Sequence, residues 1–417
     1  MSLNILIVHG TGESSGISAM SADTLQSALK QDWANVKLLE FHPDLFDRLP
    51  EHAPGVVMFA RPRGTGCDTV DLLQALDIAG WPYVGNPAAA MANAGNAEAA
   101  KALLCSAGVA FSDEFFTEHG DNVNLRPRNG LEASQSGREL FVSVLEDPEP
   151  RALPIIENPQ NHVDAPPRMY FANDQEAYLC PAPLVDSVAY EAQQLAIKVH
   201  QLFGFRDASR TTLTLTSKGL TVTAINANPL LSKESLLAIA GRAGGYSFED
   251  LAWHLVCNAA ARRTGMLEIV SSQTGPAGML SNFQEHAFIF EGVACRSMEG
   301  LLQAVKFEDP NAQKAICNLS GREAKLRGSG QNDVWQANQM LHWSGKSMGR
   351  EGGDGDYKNF LDRAFQALFS QSEVFREALR LTGQAVLRHS IGERNPRSTV
   401  LTEREFVRQL TSLRELC

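Results

Sequence analysis

The chain has no surplus of basic residues, no close cysteine pair and no apolar run long enough to cross a bilayer. Lys and Arg number 37 against 48 Asp and Glu, and the resulting net charge of -11 disfavours a broad, sequence-independent grip on nucleic acid or on an anionic membrane. A local basic pocket stays open. Seven scattered cysteines, an odd number without a C-x-x-C pair, argue against a disulfide frame or a zinc site and for free thiols in a reducing compartment. Residues Met1 to His9 lack a basic leader, and their apolar stretch is short, so they read as a buried strand and not as a signal peptide. A cytoplasmic protein without a membrane partner is the expectation.

What is present is a globular composition, 44% hydrophobic over 417 residues, enough for two or three domains. Ile5 to Val8 is a continuous apolar strand ending in His9-Gly-Thr-Gly-Glu-Ser14, and a helical pattern follows through Leu25 and Leu29. That loop suits either a plain tight turn or a phosphate at a helix N-terminus, since a lone Gly-x-Gly without the P-loop lysine decides neither. Val56 to Phe59 continues as a strand, Asp71 to Ile78 as a helix, Trp81 to Gly85 as a short strand and Ala88 to Leu104 as an Ala-rich helix. Alternation of this kind predicts a parallel, doubly wound α/β domain over 1–115. A seam is expected at 263–276, where Gly, Pro and Ser gather, with Met266 to Val270 as the first strand beyond it.

The stretch from Cys295 to Phe307 places polar chemistry on one face. With Ser297 as N-cap, Glu299, Gln303 and Lys306 fall at i, i+4 and i+7 of a helix, and Leu301, Leu302 and Val305 take the other side. Periodicity alone leaves two readings: a solvated amphipathic face, or a site.

The run from Asp71 to Gly85, then Lys101 to Gly108, Ala177 to Ala182, Ile225-Asn-Ala-Asn-Pro229, Ser235-Leu-Leu237 and Gly244 to Leu251, resembles the D-alanine–D-alanine ligases of the ATP-grasp superfamily. The resemblance implies an ATP-grasp-like α/β module, with a pre-ATP-grasp domain at 1–115 and an α+β domain at 116–262. It also implies ATP held by lysines, two magnesium ions held by carboxylates, and a homodimer through this module. The site positions are altered. Ala97 and Arg126 stand for the two nucleotide-contacting lysines, Thr212 for the metal-binding Asp and Ala224 for the Glu, and only Asn226 of the metal set remains. The Ser-rich phosphate loop is reduced to Glu132-Ala-Ser-Gln-Ser-Gly137. An oxygen cage short of its charged ligands binds Mg²⁺ poorly, so a degenerate scaffold or sensor is expected, with no metal and no cofactor.

A second resemblance covers 277–417. Leu280-Ser-Asn-Phe283, a strand from Ala287 to Phe290, the helix from Ser297 to Phe307, Arg322 to Arg327, a helix from Tyr357 to Ser370 and Phe375 to Gly383 follow the order of the NADAR family, whose YbiA-like members are N-glycosidases. The resemblance implies a mainly α-helical domain that cleaves a ribosyl C1′–N bond through an oxocarbenium-like state. Glu299 is then the catalytic carboxylate. Asn282, Phe283, Ser297, Gln303 and Lys306 are its substrate-binding neighbours, although Asn282 and Phe283 also suit a turn with a core anchor. Family members end in Trp-Gly and Asn-x-Leu-Gly elements, which this chain lacks, and His389, Arg394 and Asn395 are the candidates to refill that place. The Gly-rich stretch from Trp343 to Tyr357 reads as a lid or a passive loop.

The expected function is therefore hydrolysis of an N-glycoside beside an inactive ligase-like module. Its substrate would be ADP-ribosylated guanine in nucleic acid, a small nucleotide-like molecule, or a ribosylaminopyrimidine phosphate. The alternatives are a non-catalytic sensor of an NAD or ADP-ribose derivative and, disfavoured, an active D-alanine ligase.

Overall fold

The structure, a computed structural model, describes residues 3–10, 15–30, 34–42, 44–60, 69–118, 137–147, 149–158, 169–171, 177–350 and 355–417. Two units divide the chain, Leu3–Arg263 and Thr264–Cys417.

In the first unit, Leu3–His9 is the central strand of a three-stranded parallel sheet between Ala34–Glu40 and Val56–Ala60. Its apolar run is continuous because Ile5, Leu6, Ile7 and Val8 are all buried, as a strand covered on both faces requires. Trp81 to Gly85, expected as a strand, contributes only the bridge of Tyr83 to Val57. The helix expected from Ala88 to Leu104 is broken. Ala88–Gly95 ends at Asn96, whose side chain caps a second helix, Ala97–Ser106, by accepting from the N–H groups of Glu98 and Ala99 at 3.0 and 3.1 Å.

The larger sheet runs in the order Phe111–Glu118, Gly219–Asn226, Ala208–Thr216, Arg138–Glu146, Ile156–Asn158, Ala177–Leu179 and Met169–Phe171. Alternate residues of Arg138–Glu146 feed separate cores. Leu140, Val142 and Val144 pack with Ala192, Ala196 and Val199 of helix Asp186–Leu202. Phe141 and Leu145 pack with Leu236, Ile239 and Leu251 from helices Leu236–Ala243 and Phe248–Thr264.

The second unit combines helices with three two-stranded ribbons. Met266–Glu268, inside the expected connector 263–276, is a strand of this unit, paired in parallel with Val386–Arg388. Helix Asp356–Gln371 buries Phe360, Leu361, Ala364, Phe365 and Leu368 on one stripe, and Phe290, Trp343 and Phe360 pack ring to ring beside it. Helix Glu403–Arg414 starts with a capping box of Thr402 and Glu405, and Phe406, Leu410 and Leu413 are buried. Much of the Gly-rich stretch from Trp343 to Tyr357, which reads in sequence as a lid or a passive loop, belongs to a hairpin. Met340–Trp343 pairs with Lys346–Gly349 across Ser344 and Gly345, both at positive φ as a tight two-residue turn demands. Among the described residues no helix is long and apolar enough to cross a membrane, and the described cysteines form no disulfide.

Candidate functional site

The polar stripe sits on a seven-residue helix, Met298–Ala304, shorter than the expected span to Phe307. The chain leaves the helix at Val305, and Lys306 follows in a turn whose N–H reaches Gln303 O at 3.3 Å. A solvated face is excluded, because every residue of the helix is buried: Glu299 is 4% exposed, Gln303 1% and Lys306, just beyond, 7%.

Glu299 is held from several sides. Its backbone N–H donates to Asn282 O at 2.9 Å, which fixes the Leu280-to-Phe283 turn against the first turn of the helix. Gln303 Nε2 donates to Glu299 Oε1 at 2.7 Å, and Lys325 Nζ lies 3.3 Å from the same oxygen. The other oxygen, Oε2, receives no hydrogen bond among the described residues. Lys325 comes from helix Gly321–Ser329, whose capping box of Ser320 and Glu323 sets its start. That helix lies close enough that a Cβ on Gly328 would stand 2.0 Å from Gln303 Oε1, and one on Gly321 would stand 2.8 Å from Phe283 Cα.

Lys306 Nζ donates to Asn332 Oδ1 at 2.8 Å, and Trp335 Nε1 donates to the same atom at 3.2 Å. The ammonium also lies 5.9 Å from the Trp335 ring centroid. Burial first, then the charge of Lys325, pushes the Lys306 ammonium down to about 8 from 10.5, against an opposing pull from Glu299.

The sequence-predicted residues divide accordingly. Glu299, Gln303 and Lys306 form one cluster, with Asn282 and Phe283 half-buried beside it through their backbones. Ser297 is fully buried, and its hydroxyl accepts from Gly300 N at 3.1 Å as the helix cap. His389 and Asn395 are not shown to reach Glu299. His389 Nδ1 bonds Ile269 O at 2.6 Å and its ring packs on Phe406, while exposed Asn395 accepts from Arg397 N within its own turn. Arg394 pairs with Glu403 at 3.0 Å. Lys325, Asn332 and Trp335 were not singled out from the sequence. Asn332 and Trp335 both come from one helix, Asn332–Asn338.

In the first unit, Thr212 and Ala224 are register partners across two antiparallel strands, with Arg210 opposite Asn226 two positions along. All four are fully buried. Ala97 opens helix Ala97–Ser106, while Arg126 and the loop 132–136 lie outside the described residues. Neither Thr212 nor Ala224 offers a carboxylate, and no group of three His, Cys, Asp or Glu suited to a metal exists among the described residues. These positions do not fit the magnesium pair that the ligase resemblance implies.

Residues 129–257 match the model of the D-ala D-ala ligase C-terminus. A D-alanine–D-alanine ligase of Cupriavidus metallidurans is 32% identical over 127 residues, 30% of this chain and 38% of that protein, so the chain spans well under half of that relative. The first unit thus carries a ligase-like region. Among solved structures, the D-alanine–D-alanine ligase of Bacillus anthracis complexed with ATP aligns with TM-score 0.49 and 14% identity, over 63% of this chain and 98% of that one. The second unit matches a different model, bacteriophage protein GP30.3, over residues 274–415. An uncharacterized 17.1 kDa protein from the Gp30-rIII intergenic region of Enterobacteria phage T4 is 33% identical over 150 residues, 36% of this chain and 97% of that protein. Through residues 274–415, the chain belongs to the family of bacteriophage protein GP30.3.

Proposed function

We propose that the Thr264–Cys417 unit is an N-glycosidase that hydrolyses a ribosyl C1′–N bond, with Glu299 as its base. The observation that carries this reading is the asymmetry of a buried carboxylate: Oε1 is held by Gln303 and Lys325, while Oε2 has no donor among the described residues. A carboxylate anchored by one oxygen keeps the other in place for a water and for the positive charge that develops at C1′. The C1′–N bond breaks with its electron pair going to the base nitrogen. Water oxygen bonds C1′, its proton passes to Glu299 Oε2, and a departing amino nitrogen takes a proton from Lys306, whereas a pyridinium nitrogen leaves neutral without one. With its pKa near 8, Lys306 is charged at neutral pH and a stronger acid than an ordinary lysine.

The substrate classes are ADP-ribosylated guanine in nucleic acid, a small nucleotide such as NAD, and a ribosylaminopyrimidine phosphate. The ligase-like unit is read as a scaffold or ligand sensor, which the Thr212 and Ala224 positions support because neither supplies a metal-binding carboxylate. Each substrate, offered separately to the full-length protein and followed by mass spectrometry, tests the proposal. Release of free base is expected from one of them. No cleavage of any rejects the glycosidase, and magnesium-dependent conversion of ATP to ADP with D-alanine supports the ligase instead.

A further inference from the structure

We propose that the Lys325–Glu299 ion pair is a resting latch that an anionic group of the substrate opens, Lys325 moving to the anion while Glu299 is left to act as base. The inference rests on the N-glycosidase reading of this site and adds to it the charge of the substrate and the order of events.

The two groups on Glu299 Oε1, the Gln303 amide as donor and the Lys325 ammonium as ion-pair partner, differ in freedom. Gln303 cannot follow a ligand: it is 1% exposed and so closely wedged against helix Gly321–Ser329 that only a glycine fits at 328. The Lys325 side chain is 55% exposed, reaches Glu299 from the solvent side at 3.3 Å, and has no other acceptor among the described residues. Lys306 is not available for the same movement, because Asn332 and Trp335 hold its ammonium in the interior. A lysine ammonium is a point charge on a flexible four-carbon stem, able to exchange one anion for another by rotation alone. A phosphate or pyrophosphate carries more charge than a single carboxylate and takes a half-exposed ammonium from it. Gln303 then keeps the carboxylate in register. The latch also predicts an order of use, since the charge of Glu299 is released from Lys325 to the reacting centre only once the charged part of the substrate has docked, with Gln303 alone then holding Oε1.

The test is calorimetric titration of inorganic pyrophosphate into the full-length wild type, Glu299→Gln, Lys325→Met and the double variant. Removing the competing carboxylate frees Lys325, so Glu299→Gln is expected to bind about fivefold tighter than wild type, the size of effect that a partly exposed ion pair allows. Lys325→Met is expected to bind more weakly, and adding Glu299→Gln to it is expected to change nothing. An equal gain from Glu299→Gln with and without Lys325 overturns the latch, since that result reports only the general field of the carboxylate. Titration of Lys325→Met like wild type, or no binding by any of the four, overturns it as well. The readout is binding alone. A protein that passes it yet cleaves no N-glycoside refutes the glycosidase reading and not the latch, while a cleaving enzyme that fails it refutes only the latch.

Discussion

Gln303 donates its side-chain amide to Glu299 Oε1 at 2.7 Å, one helical turn along a helix in which all residues are buried. Gln303→Leu keeps the volume and removes the donor. A hydrogen bond to a charged group contributes about 1.5–3 kcal/mol, so kcat for N-glycoside hydrolysis should fall about tenfold to a hundredfold. Steady-state kinetics check this, and a kcat within about twofold of wild type means the amide does not position the base.

Glycine-to-alanine changes at Gly328, inside the neighbouring helix, and at Gly330, its C-cap, should differ in cost. In an open helix the exchange stabilises by about 1 kcal/mol, but at Gly328 the new methyl would meet Gln303 at 2.0 Å and is expected to cost about 1–3 kcal/mol instead. Gly330, where the nearest atom is 3.6 Å away, should accept alanine without loss. Urea midpoints of the two variants decide the point.

Lys306 should leave a signature in stability against pH. Its folded pKa, about 8, lies below the ordinary 10.5, so between these values the unfolded chain binds more protons than the folded one. Stability from this group therefore rises with pH through that window, and the penalty, roughly 3 kcal/mol, is full below pH 8 and gone above about 10.5. Denaturation from pH 7 to 10 should show the rise in wild type relative to Lys306→Met, since subtracting the variant removes the tyrosine and cysteine titrations common to both. Parallel curves contradict it.

A structural ion pair in the first unit gives a separate test. Arg262 grips buried Asp207 with a two-pronged contact at 2.7 and 3.2 Å, and the Gly85 N–H donates to the same carboxylate at 2.7 Å. Arg262→Ala leaves that charge short of its cation and should destabilise the unit by about 3–5 kcal/mol. Hydrogen exchange of helix Phe248–Thr264 and its neighbours reads this directly, and unchanged protection argues against the pair as a tie.

Much of this was legible where sequence neighbours are also spatial neighbours. Glu299 and Gln303 lie one turn apart, so a 3.6-residue period placed them together, and the Thr402–Glu405 box announced its helix in four residues. The break at Asn96 was readable too, since Gly95-Asn96 is a stop followed by a cap, but the alanine run outweighed it. The hairpin around Ser344 and Gly345 had its signal in the alternation of Leu341, Trp343 and Met348, hidden by the glycines beyond. Lys325, Asn332 and Trp335 were out of reach for a different reason. Lys306 and Asn332 meet across 26 residues and Glu299 and Lys325 through a second helix, contacts made by helix packing and by no local pattern. His389 and Asn395 mark another limit, since a polar residue near an expected motif position says nothing of whether backbone groups already occupy it.

The central claim is that Glu299 performs the chemistry. The most direct measurement is mass-spectrometric base release by the wild type and by Glu299→Gln, side by side, on ADP-ribosylated guanine DNA, NAD and ribosylaminopyrimidine phosphates. The account predicts that the wild type releases base from at least one of them and that Glu299→Gln, folded and still binding pyrophosphate, releases none. Cleavage by Glu299→Gln at the wild-type rate would contradict it.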